Sequence, residues 1–145
     1  MLNKKLLAAL VFSGALLGGC ASVPMASPDA DAKAKTFAVQ ADAANVYIYR
    51  NESFGAAIKM TVVLDGQIAG DTAANTYIMK TVAPGKHTLI SKTENDSTIE
   101  INAESGKNYY IWQEVKMGAF AARSNLQVVD ETTGQKGVSE CKLVQ

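Results

Sequence analysis

The residue types in this chain with the greatest chemical reach are two cysteines, Cys20 and Cys141, and a single histidine, His87. A thiolate is a nucleophile and a metal ligand, and an imidazole moves protons near neutral pH. Neither type occurs in the number or spacing that catalysis or metal binding needs. His87 has no second ligand spaced for zinc, and Gly-x-Ser-x-Gly, His-Glu-x-x-His, Cys-x-x-Cys and Gly-rich phosphate-loop patterns are absent from the sequence. The acidic pairs Asp65/Asp71 and Glu94/Asp96 lack the closely spaced oxygens of a calcium loop and read as solvated turn residues. A pair of carboxylates brought together from distant positions for sugar hydrolysis is the one hydrolytic option that spacing leaves open. The expectation is a non-enzymatic protein with no metal and no cofactor.

Context sets Cys20 apart. It follows a short basic head with Lys4 and Lys5, an apolar run from Leu6 to Leu17 and the small pair Gly18-Gly19, which is the layout of a bacterial secretory signal. The run is about twelve residues long, short of the roughly twenty that a spanning helix needs. Leu17-Gly18-Gly19-Cys20 resembles a lipobox, the bacterial lipoprotein motif of an aliphatic residue, two small residues and cysteine. That resemblance implies a diacylglyceryl group on Cys20, cleavage by signal peptidase II between Gly19 and Cys20, and acylation of the new amine. One acyl chain holds a protein reversibly and two or more hold it stably, so such a modification would be a durable membrane anchor. With Ala21 and Ser22 in place of Asp after the cysteine, the resemblance implies the outer membrane, facing the periplasm. The alternative is an ordinary signal cut nearby, for instance after Ala21.

A 145-residue chain that is 48% hydrophobic and 19% charged has room for one domain with a core. Lys plus Arg and Asp plus Glu number 14 each, and removal of Lys4 and Lys5 with the signal leaves a balance near −2. Nucleic acid binding needs clustered cations to displace counterions, and this composition offers none. Residues 20–35 are small and polar, with Pro24 and Pro28, and read as the modified cysteine followed by a flexible tether.

Residues 36–145 read as an all-β domain, a small sandwich of about seven or eight short antiparallel strands. Strands are expected over Asn45–Arg50, Ala57–Leu64, Gln67–Ala69, Thr76–Val82, Lys86–Lys92, Ser97–Ala103, Tyr109–Val115, Ser124–Val129 and about Gly137–Val144, with Gly134 in a loop. Asp65-Gly66 is a tight hairpin turn, and Pro84-Gly85 a second turn. Val46-Tyr47-Ile48-Tyr49-Arg50, Leu64-Asp65-Gly66, Ala83-Pro84-Gly85-Lys86-His87 and Gly106-Lys107-Asn108-Tyr109-Tyr110 resemble the bacterial family called Domain of Unknown Function 2846. The middle of the chain is also similar to the PEGA domains of envelope proteins. The resemblance implies a β-sandwich on exported proteins, often lipoproteins, and carries over no catalytic residue.

Two stretches stand out as contact surfaces for an envelope protein or a cell-wall glycan. Alternation puts Tyr110 and Trp112 on one side of their strand, where core and rim packing is the favoured reading and exposed rings would instead make an adhesive platform. Lys116–Arg123 interrupts the strand pattern with small and apolar residues, so that Met117 and Phe120 would be exposed if it loops out. Arg50 is expected to pair with a carboxylate, and Cys141 to be buried between Val138 and Leu143.

Overall fold

The structure is a computed structural model and describes residues 20–145; residues 1–19, expected to be a signal, with Leu17, Gly18 and Gly19, lie outside the described residues. In chain order the elements are α1 (Pro28–Ala34), β1 (Ala44–Arg50), β2 (Met60–Leu64), β3 (Gln67–Thr72), β4 (Thr76–Val82), β5 (Gly85–Lys92), β6 (Asp96–Ala103), β7 (Asn108–Met117), β8 (Ala122–Val129), α2 (Glu131–Ser139) and β9 (Lys142–Leu143). They form a small β-sandwich of two sheets, β8-β7-β1-β4-β9 and β3-β2-β5-β6. Two parallel pairings, β1 with β7 and β4 with β9, join the antiparallel ones.

β1 is central because its sequence is apolar on both faces. Val46 and Ile48 point toward the four-stranded sheet, where they meet Val62, Leu89 and Ile101, together with Ile78, Ile111 and Leu126 of their own sheet. Each such aliphatic side chain contributes about 1.5–3 kcal/mol when fully buried. Tyr47 and Tyr49 point the other way, into a second cluster with Tyr77, Tyr110, Val138 and Cys141. Every residue of β1 is buried as a result. The Asp65-Gly66 turn takes positive φ at both residues, 49° and 79°, as a two-residue hairpin requires.

The aromatic face needs a cover, and the two helices supply it. α2 replaces the loop expected around Gly134 and the first three residues of the strand expected over Gly137–Val144, of which Lys142–Leu143 form β9. Asp130 caps it by accepting from Thr133 N–H at 2.9 Å, and Gly134 and Gly137 lie directly on the rings of Tyr110 and Tyr49. A methyl group at either glycine would overlap the ring beneath, so this helix is specified by close approach and not by an apolar stripe.

The expected flexible tether over 20–35 is also corrected. Pro28 opens α1 at the first helical position, where its missing N–H costs nothing, and Ser27 caps the helix through Ala30 N–H at 3.2 Å. Asp31 then fastens the helix to the domain: one carboxylate oxygen accepts from Tyr77 Oη and from Leu143 N–H, both at 2.9 Å, and the other from Lys35 Nζ at 2.8 Å. Lys35 Nζ also donates to the Cys141 carbonyl at 2.6 Å. Burial opposes the charge on Asp31, but these donors outweigh it and hold the carboxyl below its ordinary range.

Candidate functional site

One end of the sandwich is built differently from the other. The register of β1 with β7 ends at Tyr49 and Trp112, while β7 runs on to Met117 paired only with β8. The β7–β8 hairpin therefore projects about five residues, roughly 17 Å, beyond the edge of β1. Segment 51–59 folds back against this projection. Arg50, fully buried, holds it by donating from Nη1 to the Ile58 carbonyl at 2.7 Å and from Nη2 to the carbonyls of Gly55 at 2.5 Å and Phe54 at 3.4 Å. The carboxylate expected for Arg50 is thus replaced by three backbone acceptors, and burial pushes the guanidinium pKa down against the opposing charge of Glu52. Glu52 Oε1 in turn accepts from Val115 N–H at 2.5 Å.

The hairpin tip is held in the same manner. Glu94 Oε2 accepts from the N–H groups of Ala121 at 2.9 Å and Phe120 at 3.3 Å, which keeps its carboxyl below the usual range. Gly118 is needed there because a Cβ would overlap the Ala121 carbonyl and that same Glu94 oxygen. With the backbone fixed from beneath, the apolar side chains face out: Phe120 is 99% exposed, Met117 79% and Phe54 51%. They border a cleft of about 340 Å³ lined by Gly55, Ile58, Val115 and small residues of the tip. Its floor is apolar, and no titratable side chain other than that of Lys116 lines it.

The N-terminal segment arrives at this end. Cys20 is exposed, and Ala21 N–H donates to the Ala56 carbonyl at 2.9 Å, two residues from Phe54. Val23 is buried, and Met25 bridges to Val144 while Gln145 N–H donates to the Pro24 carbonyl at 3.0 Å.

Of the four residues expected to form a contact surface, Met117 and Phe120 are exposed together at this tip. Tyr110 lies in the core, the favoured of its two readings. It is 1% exposed because α2 lies on it, stacked at 5.3 Å on Tyr47 and edge-on to Phe37 at 5.9 Å, with Gln135 Nε2 donating to its hydroxyl at 3.3 Å. Trp112 is half-buried beside the same cluster, its Nε1–H buried without an acceptor. No aromatic platform remains on that face. The alternation gave the correct side for both rings, but nothing in β7 itself announces what covers that side. Phe54 is the residue that strand reasoning missed; a lone phenylalanine in the polar and small-residue stretch Asn51–Ala57 was its only signal.

The remaining reactive side chains are structurally engaged. Burial pushes the Cys141 thiol up to about 12 and the Tyr47 and Tyr49 hydroxyls up to about 12, so all three stay protonated at neutral pH. His87, at the opposite end, lies between two acceptors, Asp65 Oδ2 at 2.6 Å from Nδ1 and the Ala83 carbonyl at 2.7 Å from Nε2. Among the described residues no group of three His, Cys, Asp or Glu side chains is placed to hold a metal ion. Nor is any helix among them long and apolar enough to cross a membrane.

Comparison with known proteins matches residues 40–125 to the family model DUF2846, described as a protein of unknown function. The chain belongs to the DUF2846 family. A relative from Haemophilus influenzae, described as an uncharacterized protein, is 35% identical over 138 residues, covering 94% of this chain and 82% of its own length. That likeness extends past the DUF2846 match at residues 40–125, so it takes in residues of the flanking segments, where α1 and α2 lie. No solved structure matches the chain.

Proposed function

We propose that this DUF2846 protein is a non-enzymatic envelope lipoprotein, anchored through Cys20 in the outer membrane and presenting its sandwich to the periplasm for contact with another envelope component. The observation that carries the reading is the exposed Cys20 at the head of a segment hydrogen-bonded to the domain, directly after residues that resemble a lipobox. The surface suited to the partner is the outer face of β2, β5 and β6, which carries Thr61, Lys86, Thr88, Thr98 and Glu100; α1 and α2 lie on the other sheet. A glycan platform on Tyr110 and Trp112 has lost its support, since Tyr110 is buried.

Mass spectrometry of the mature N-terminal peptide tests the anchor. The expected result is a peptide beginning at Cys20 with diacylglyceryl and acyl mass, and a Cys20→Ala variant that leaves the membrane fraction. An unmodified Cys20, or a mature chain starting after Ala21, contradicts it. Cross-linking in intact envelopes, with lysine-reactive reagents that reach Lys86, then identifies the partner; turnover of an envelope substrate by the purified protein would overturn the non-enzymatic reading.

A further inference from the structure

We propose that the apolar tip formed by Phe54, Met117 and Phe120 docks into the lipid bilayer on which Cys20 is anchored, so that the domain stands on that end; this rests on the lipoprotein reading above. The geometry leaves little choice of orientation. Ala21 N–H is bonded to the Ala56 carbonyl, and Phe54 is two residues further along the same loop, at most roughly 7 Å of chain. An acylated Cys20 sits at the interface between acyl chains and headgroups, a zone in which apolar side chains bury about 5–10 Å deep. Phe54 therefore falls within that zone as soon as Cys20 does, and Phe120 and Met117 border the same cleft.

Three further observations agree with a lipid surface. The exposed large side chains here are two phenylalanines and a methionine, with no polar tip to satisfy. Lys59, Lys116 and Arg123 are exposed near them; Lys59 lies 4.0 Å from Asp71 and Lys116 3.4 Å from Glu114, loose surface pairs whose long side chains can also reach phosphate headgroups. Carboxylates nearest the tip accept from amides of the domain: Glu52 from Val115 N–H, Glu94 from the tip amides and Glu140 from Asn51 Nδ2. The Phe120 and Ala121 amides of the tip are already bonded to Glu94, which lowers the cost of entering the interface.

Depth-dependent quenching by brominated lipids tests the orientation with the full, lipidated protein in vesicles of phosphatidylethanolamine and phosphatidylglycerol. Phe120→Trp places an indole at the tip, where the native side chain touches nothing that folding needs. Ile68→Trp places one on exposed β3 next to the opposite end, and the parent protein reports Trp112 alone. The expected result is blue-shifted emission and about twofold quenching of the Phe120→Trp indole by shallow brominated lipids, against none above the parent for Ile68→Trp. A lipidated Cys20 with an unquenched Phe120→Trp indole overturns the orientation and leaves the anchor standing. Equal quenching at both positions overturns it too, as does shielding of the tip in native envelopes but not in protein-free vesicles, which would mean that a protein covers it. An unmodified Cys20 in the mass spectrum overturns the anchor itself, and with it this orientation.

Discussion

The two ends of the sandwich solve the same problem, closing loops over a core, by opposite means. At the far end the turns are short and their side chains satisfy one another: Asp65 accepts from His87 and from Thr88 N–H, and Tyr109 Oη bridges the Asn102 carbonyl and Glu104 N–H. At the near end the loops are longer, their backbone is held by the side chains of buried Arg50, half-buried Glu52 and exposed Glu94, and their apolar side chains are turned outward. Polar groups spent on the interior face of a loop leave its exterior free for phenylalanine. Such an arrangement is costly in water and is retained where the exterior meets something apolar.

Removing the support of the near end should have the largest effect. Arg50→Ala takes the guanidinium donor from the carbonyls of Phe54 and Ile58, leaves that of Gly55 with Ile58 N–H alone and opens a cavity, and should cost about 4 kcal/mol in urea unfolding. A loss below about 1 kcal/mol would mean that the guanidinium does not organise the loop. Gly137→Ala comes next. Its methyl group overlaps the Tyr49 ring and lifts the part of α2 nearest Cys141, and should cost about 2 kcal/mol, although alanine in an open helix would stabilise. Gly66→Ala, at the far-end turn, meets no neighbouring atom and should cost only the strain of its positive φ.

Asp31→Ala removes the acceptor for Tyr77, Leu143 and Lys35 and should cost about 1–2 kcal/mol. Limited proteolysis should then cut within residues 25–36 while the sheets stay intact, separating the fastening of the N-terminal segment from the stability of the core. Uniform cleavage of the whole domain would contradict that separation.

The smallest effect belongs to the far end and depends on pH. Burial opposes charge on His87, but the Asp65 hydrogen bond and the Ala83 carbonyl outweigh it, so its folded pKa lies above 6.5. A raised cationic pKa contributes stability that is fully present below the unfolded value and is lost as pH rises through the folded one. The bond from His87 depresses the Asp65 carboxyl below 3.8, and that contribution is lost as pH falls through its folded pKa. Stability from the pair should therefore span the range between, and Asp65→Asn should lower the His87 pKa followed by NMR while leaving the near end unchanged.

What could be read in the sequence follows this division. Strand β4 and the Asp65-Gly66 turn are where alternation and turn chemistry put them, because both are properties of neighbouring residues. Phe120 was legible because an apolar residue between strands has no sheet face to bury it, whereas Met117, expected to be exposed by looping out, is the last residue of β7 and is exposed because that strand runs past β1. The helices were not. α2 contains two glycines and α1 begins on a proline, and what stabilises them lies across the chain in the Tyr110 and Tyr49 rings and in Leu143. Local signals did exist, in Asp130 three residues before Thr133 and in Ser27 before Pro28, each a helix start without an apolar stripe to confirm it.

The residues after Cys20 are part of the domain and fix its near end beside that cysteine. Amide hydrogen exchange over residues 21–35 checks this. Ala21, Ala26 and Lys35, whose N–H groups bond to Ala56, Leu143 and Asp31, should exchange at least about a hundredfold more slowly than free chain. Exchange of all three at the rate of an unstructured peptide would return the segment to a tether and leave the orientation of the domain unfixed.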